Sequence, residues 1–280
     1  MPLRPLEGVG VVNLGINLPG PAAGARLREL GADVVKVEPP GGDPLEANAP
    51  EWYRRLTAGQ TVTRLDLKDR GDRARLDGHL ERCDLLVTSS RPAALDRLGL
   101  GWPGIGERFP RLVQVGIVGY PHPRQEVPGH DLTYMAHHDL LSPPALPRTL
   151  TADTGGAERA VSAALGLLMA RDKGGGPRYA EVALSEAAAA FAGPWEHGLT
   201  AAGGLVGGGL PAYGLYEARG GWVALAAIEP HFQARLRDEL GVSELDRDTL
   251  AREFRSRTPA QWEEWAGARG IPLAAVGGRP

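Results

Sequence analysis

Three residues capable of moving protons stand beside predicted helix starts: His130 in Gly129-His130-Asp131, Asp153 in Ala152-Asp153-Thr154-Gly155-Gly156, and Glu229 before Pro230. A histidine and an aspartate span proton affinities suited to acid–base exchange, and a carboxylate such as Glu229 could keep an imidazole oriented and basic. Asp153, placed just ahead of a helix, would have unpaired peptide N–H groups beside it that can hold a developing oxyanion. The same carboxylate could instead attack an acyl group as a nucleophile. Taken singly, each residue also fits an ordinary place: a surface or capping histidine, an aspartate N-cap, and an acid favourable to a helix dipole.

Other motifs narrow the chemistry. Gly15-Ile16-Asn17-Leu18-Pro19-Gly20 follows the first apolar run, where a dinucleotide fingerprint would sit, but it is neither GxGxxG nor a Walker A loop. That argues against a nicotinamide enzyme or a nucleotide hydrolase, although the loop can still be expected to offer helix N-terminal N–H groups to an anion. His137 and His138 are adjacent and point to different helix faces, so they read as structural, and the single cysteine, Cys83, has no partner for a disulfide or a CxxC site. No metal is expected. A net charge of −3 gives no basis for nucleic-acid binding. The sequence shows no secretory pattern and no apolar stretch long enough to span a bilayer, so a cytoplasmic location is expected.

The elements that must carry these residues alternate. Gly8–Leu14 reads as a strand, Pro21–Leu30 as a helix closed by Gly31, and Asp33–Glu38 as a second strand, a strand–helix–strand unit with a right-handed crossover. Helix Asp72–Arg82, strand Asp84–Thr88, helix Ala93–Leu98 and strand Leu112–Val118 continue the pattern. The expected fold class is α/β, a Rossmann-like doubly wound parallel sheet in residues 1–195 with ligands beyond the carboxyl ends of its strands, and a smaller α+β domain in 196–280. Gly156–Asp172 reads as a helix, Tyr179–Leu184 as a strand and Ser185 as the start of another helix. In the second domain Ala212–Glu217 and Trp222–Ala227 read as antiparallel strands joined by Ala218–Gly221, followed by helices at Pro230–Leu240, Asp248–Arg257 and Pro259–Arg269. Tyr120–Pro147 and Ala201–Pro211 read as loops, and Gly207-Gly208-Gly209 as a hinge.

Several segments together resemble the family III CoA-transferases, the CaiB/BaiF type. They are Pro5-Leu6-Glu7-Gly8, VVNLGINLPGP from Val11, LGADVVKVEPPGGDP from Leu30, Leu65-Asp66-Leu67-Lys68, Arg91-Pro92 with Leu95–Gly99, and Pro110–Val113. Gly129–Tyr134 is similar to the GHDxxY motif of the α-methylacyl-CoA racemase branch, where formyl-CoA transferase-like members carry tyrosine at the place of His130. Ala152-Asp153 with Gly155-Gly156 resembles the segment holding the family's catalytic aspartate. Ala227–Phe232 resembles the racemases' EPQF segment.

The resemblance implies an acyl-CoA enzyme with His130, Asp153 and Glu229 as catalytic residues and Asn17, Leu65, Ser90, Arg91 and Arg97 as coenzyme A contacts. It implies racemisation or epimerisation at the α-carbon of a 2-methylacyl-CoA, by removal of the α-proton on one face and delivery on the other. The alternatives are CoA transfer between carboxylic acids through an aspartyl anhydride on Asp153, and a catalytically silent CoA-binding subunit. Pro39 stands where relatives carry a basic residue, which shifts phosphate binding to Arg91 and Arg97. The resemblance also implies a homodimer with acyl-CoA held between the two domains. The segment IPLAAVGGRP falls where relatives begin a long return to the first domain, so a reduced interlock is expected.

Overall fold

In the computed structural model, which describes residues 3–175 and 178–277, the chain divides into two compact units, Met1–Ala192 and Gly193–Pro280. The first runs β1 (Gly10–Asn13), α1 (Pro19–Glu29), β2 (Asp33–Glu38), α2 (Pro44–Asn48), α3 (Pro50–Leu56), β3 (Thr61–Arg64), α4 (Arg70–Leu80) and β4 (Leu85–Thr88). It continues with α5 (Pro92–Arg97), α6 (Gly104–Arg108), β5 (Val113–Val118), α7 (Asp131–Ala136), α8 (Thr151–Asp172), β6 (Tyr179–Ala183) and α9 (Leu184–Glu196), within which the unit boundary falls.

The six strands form one parallel sheet in the order β3-β2-β1-β4-β5-β6. The order follows from which strands are apolar on both faces. All six residues of β5 and all four of β4 are buried, as interior parallel strands require, whereas β3 at the edge is mostly exposed. Successive residues point to opposite faces. Val11, Leu85 and Val87 therefore enter one core with α1 and α8, while Val12 and Leu86 enter a second core with α4, α5 and α6. Helices on both faces make the sheet doubly wound, the α/β class expected.

Cys83, between α4 and β4, is half-buried against the second of these cores, and burial pushes its thiol up to about 12. No helix among the described residues is long and apolar enough to cross a membrane.

The second unit holds a three-stranded antiparallel sheet and three helices. These are β7 (Tyr213–Ala218), β8 (Gly221–Ala226), α10 (Pro230–Leu240), α11 (Arg247–Phe254), α12 (Pro259–Gly267) and β9 (Leu273–Ala275), in the sheet order β7-β8-β9. β7 and β8 pair from Tyr213–Ala226 to Ala218–Gly221, so the turn is the two residues Arg219-Gly220, with Gly220 at φ 81°. The core is aromatic: Trp262 packs edge-on against Phe254 at 5.0 Å and donates its indole N–H to the Phe254 carbonyl at 2.8 Å. Gly207-Gly208-Gly209 lies in a short, wide helical turn, Leu205–Gly209, kinked at Gly208 with φ 102°.

Several expectations need correction. Tyr120–Pro147 is not all loop, since α7 lies inside it. α8 starts at Thr151, five residues before the expected Gly156. The glycine pair Gly155-Gly156 near its start is a packing device. A Cβ on Gly155 would lie 2.4 Å from the Phe191 ring, and one on Gly156 would lie 2.2 Å from a Leu184 methyl, so the pair lets α9 lie close against the start of α8.

Candidate active site

The chemistry-bearing residues gather where the strand order reverses. β1 and β4 are neighbours, but their following helices lie on opposite faces, and loops leaving the carboxyl ends of such strands diverge to open a crevice. A cavity of about 140 Å³ lies there. It is lined by Ile16 and Asn17 after β1, Ser89 and Arg91 after β4, and Ile117 and Val118 at the end of β5. His130, Tyr134 of α7, Asp153 of α8 and Leu184 close it.

The β1–α1 loop is held by side chains. Asn13 accepts the Gly15 N–H and donates to the Gly20 carbonyl, both at 2.9 Å, while Ser89 Oγ accepts the Ile16 N–H at 2.9 Å. Asp43 Oδ1 accepts the Asn17 N–H at 3.0 Å, and Asn17 itself has φ 63°, a conformation asparagine tolerates better than most residues. Gly20 must be glycine because a Cβ there would sit 2.1 Å from the Gly15 carbonyl carbon.

Beneath the loop lies a fully buried ionic cluster. Lys36 of β2 donates to the Gly15 carbonyl at 2.8 Å and pairs with Asp43 at 2.9 Å and Glu38 at 3.7 Å, all three side chains being wholly excluded from solvent. The Tyr53 hydroxyl donates to Glu38, which raises that phenol's pKa further above a range already lifted by burial.

On the other side of the cavity, Asp153 is the third residue of α8. Its peptide N–H donates to Asp131 Oδ1 at 2.9 Å. Burial in the apolar wall, and then the charge of Asp131, push the Asp153 carboxyl up to about 7. His130 caps α7, its peptide N–H bonded to Thr133 Oγ1 at 3.0 Å, and the residue lines the cavity from an exposed position. Tyr134 enters between Gly119 and Gly129, where a Cβ would lie 2.4 and 2.5 Å from its ring or hydroxyl. Its phenol is pushed up to about 12 by burial, then by Tyr120 and Asp153.

A second, larger and more apolar cavity of about 240 Å³ adjoins the same strand ends, with Ile16 lining both. Leu65, Lys68, Ser90, Leu95 and Pro39 are among its walls.

The family whose description is CoA-transferase family III matches residues 6–277 of this chain. The chain belongs to CoA-transferase family III. Human α-methylacyl-CoA racemase is 29% identical over 259 residues, 85% of this chain and 65% of that protein. The cinnamoyl-CoA:phenyllactate CoA-transferase of Clostridium sporogenes is 34% identical over 140 residues, 45% of this chain. The chain spans about a third of that transferase's length, 34%. The fold matches a hypothetical protein of Mycobacterium tuberculosis with a TM-score of 0.82 at 22% identity, covering 99% of this chain and 85% of that one. A CaiB/BaiF family protein from Brucella suis matches at 0.80 and 20%, covering 99% and 85%.

Within this family III chain, four of the expected residues (Asn17, Arg91, His130 and Asp153) line one cavity, and Leu65 and Ser90 line the adjoining one. Arg97, exposed at the end of α5, lines neither. Glu229 belongs to the second unit, where it is the exposed N-cap of α10.

Two expectations about peptide donors are narrowed. The N–H groups of Gly15, Ile16 and Asn17 are taken by side chains, and Pro19 and Pro21 have none to give, so fewer donors are left at the start of α1 than the loop's length suggests. Asp153 does not precede its helix, and its own N–H and that of Thr154 are bonded to Asp131 and the Leu150 carbonyl. Sequence reasoning also missed Lys36 and Asp131. The signal for the first was a lysine inside the β-branched run DVVKVE, in a strand position expected to be buried.

Proposed function

We propose that this family III chain acts on acyl-CoA thioesters as a racemase or epimerase, moving the proton on the carbon α to the thioester. The observation that carries the reading is that Asp153, its carboxyl lifted to about 7, and His130 line one small cavity at the carboxyl ends of the strands. Transfer of an α-proton through a planar enolate needs one acid and one base present together, on opposite faces of the carbon. A carboxyl titrating near neutrality can fill either part, and so can an imidazole. A nucleophilic aspartate has the opposite need, because only its ionised form attacks.

The apolar cavity around Leu65 and Ser90 suits the adenine of coenzyme A, with pantetheine passing Ile16 toward Asp153. The first unit is then the CoA-binding domain, and the working enzyme is a homodimer. Arg91 and Lys68 replace Arg97 as the cations placed to meet phosphate. Arg91→Ala should weaken CoA binding about tenfold or more, since a charge-assisted contact contributes about 1.5–3 kcal/mol, while Arg97→Ala should change it little. Isothermal titration with free CoA measures both, and equal losses would return Arg97 to the site.

The deciding experiment is incubation with a 2-methylacyl-CoA in deuterated water. Deuterium at the α-carbon is expected. Absence of deuterium together with a hydroxylamine-trapped acyl group on Asp153 would establish CoA transfer instead. CoA binding with neither outcome would indicate a silent subunit.

A further inference from the structure

Asp131 heads α7 and is 4% exposed, yet it makes a single hydrogen bond to protein among the described residues. Oδ1 accepts the Asp153 N–H at 2.9 Å, tying the first turn of α8 to the first turn of α7 across 22 residues of chain. Oδ2 is buried without a partner. A carboxylate has room for about four hydrogen bonds, and leaving a buried charge so thinly satisfied is unfavourable. A clip alone would not need that charge, because the amide oxygen of asparagine accepts the same bond.

What the charge does is set by its surroundings. The titratable and charged groups facing the Asp153 carboxyl are Asp131 and Tyr134 of α7, His130 just before it, and Arg91 after β4, all but Asp131 lining the same cavity. Glu158 and Arg159, further along α8, are exposed. Arg91 is a cation, but it is also exposed and screened by water. Asp131 is the buried charge among them, held to the Asp153 backbone at a fixed distance.

We propose that Asp131 is a positioning residue for the reaction: its Oδ1 fixes the turn that carries Asp153, and its buried negative charge, added to the burial of Asp153 itself, helps keep a proton on that side chain, which therefore enters the reaction as an acid. The catalytic half of this inference rests on the racemase reading; the electrostatic half does not. It assigns the two reacting groups their resting states. Asp153 supplies a proton to the α-carbon from its face, and the imidazole of His130 takes one from the other. After one turnover Asp153 is left ionised beside Asp131, and this like-charge repulsion drives its reprotonation.

The test compares the unaltered protein with Asp131→Asn and Asp131→Ala, all carrying ¹³C-carboxyl aspartate. The Asp153 resonance is identified by its loss in Asp153→Asn. Its midpoint is expected near neutral pH in the unaltered protein and about one pH unit or more lower in Asp131→Asn, since removing one adjacent like charge typically has that effect. Asp131→Asn should keep the clip and unfold at nearly the unaltered temperature, whereas Asp131→Ala should lose both clip and charge. In the deuterium exchange assay, Asp131→Asn should lower the rate more at pH 8 than at pH 6, with the Michaelis constant unchanged. A midpoint identical in the unaltered protein and Asp131→Asn would overturn the proposal, as would an ordinary aspartate midpoint in the unaltered protein. A lowered midpoint in a chain that exchanges no deuterium would support the electrostatic role of Asp131 and remove the racemase reading instead.

Discussion

Lys36→Met should destabilise the protein by about 3–5 kcal/mol, the usual effect of removing one partner from a buried ion pair. The ammonium at the centre of β2 is wholly buried. It holds the Gly15 carbonyl, Asp43 and Glu38, and its loss leaves two carboxylates inside the fold with one fewer cation. Glu38 keeps Tyr53 and, at 3.5 Å, Arg64, so Asp43 bears most of the change. Asp43 also holds the Asn17 N–H, and the effect should therefore reach the ligand loop as weaker CoA binding. Urea unfolding of Lys36→Met, and of Lys36→Met combined with Asp43→Asn, checks the argument. The double variant should recover part of the loss because it removes the stranded charge. A single-variant loss below about 1 kcal/mol would mean that water reaches the cluster.

Asp153→Asn should lower the rate of α-proton exchange by about 10²–10⁴-fold, the span usual for a general acid or base. The substitution keeps shape and leaves the hydrogen bond from the residue 153 peptide N–H to Asp131 in place, so the fold should survive. Its stability should depend on pH in a defined sense. In the folded chain this carboxyl titrates near 7, against about 3.9 when unfolded. Between those values the unfolded chain has released the proton that the folded chain still holds, so the stability of the unaltered protein falls as pH rises from about 4 to about 7. Asp153→Asn lacks that fall. Melting temperatures from pH 4.5 to 8 should diverge in favour of the variant as pH rises. Parallel curves would show that the carboxyl is not perturbed, and an unchanged exchange rate would remove Asp153 from the reaction.

The strands were legible because burial on both faces favours β-branched runs such as DVVKVE and LVQVGIV. β3 was not legible, because an edge strand of Thr-Val-Thr-Arg needs neither an apolar face nor length. α2, α3 and α6 are five to seven residues long, too short to show a periodicity. The start of α8 was misplaced for a different reason. Glycines that admit Phe191 and Leu184 have the same letters as glycines that end helices, and only the neighbouring helix distinguishes them. The meeting of His130 with Asp153 was legible through motifs. The roles of Lys36 and Asp131 were not, since an ion pair across seven residues and a clip across 22 depend on three-dimensional register.

The state of Cys83 makes the chain suited to site-directed labelling. A thiol whose pKa is pushed up to about 12 holds almost no thiolate at neutral pH, and it is the thiolate that reacts with maleimides and iodoacetamides. Cys83 should therefore label far more slowly than an exposed cysteine introduced as a reporter site. A cysteine placed at exposed Val127, in the wall of the Asp153 cavity, would ionise in the ordinary range and take the dye first. Fluorescence from that single position would follow thioester entry in real time, independently of whether any chemistry follows.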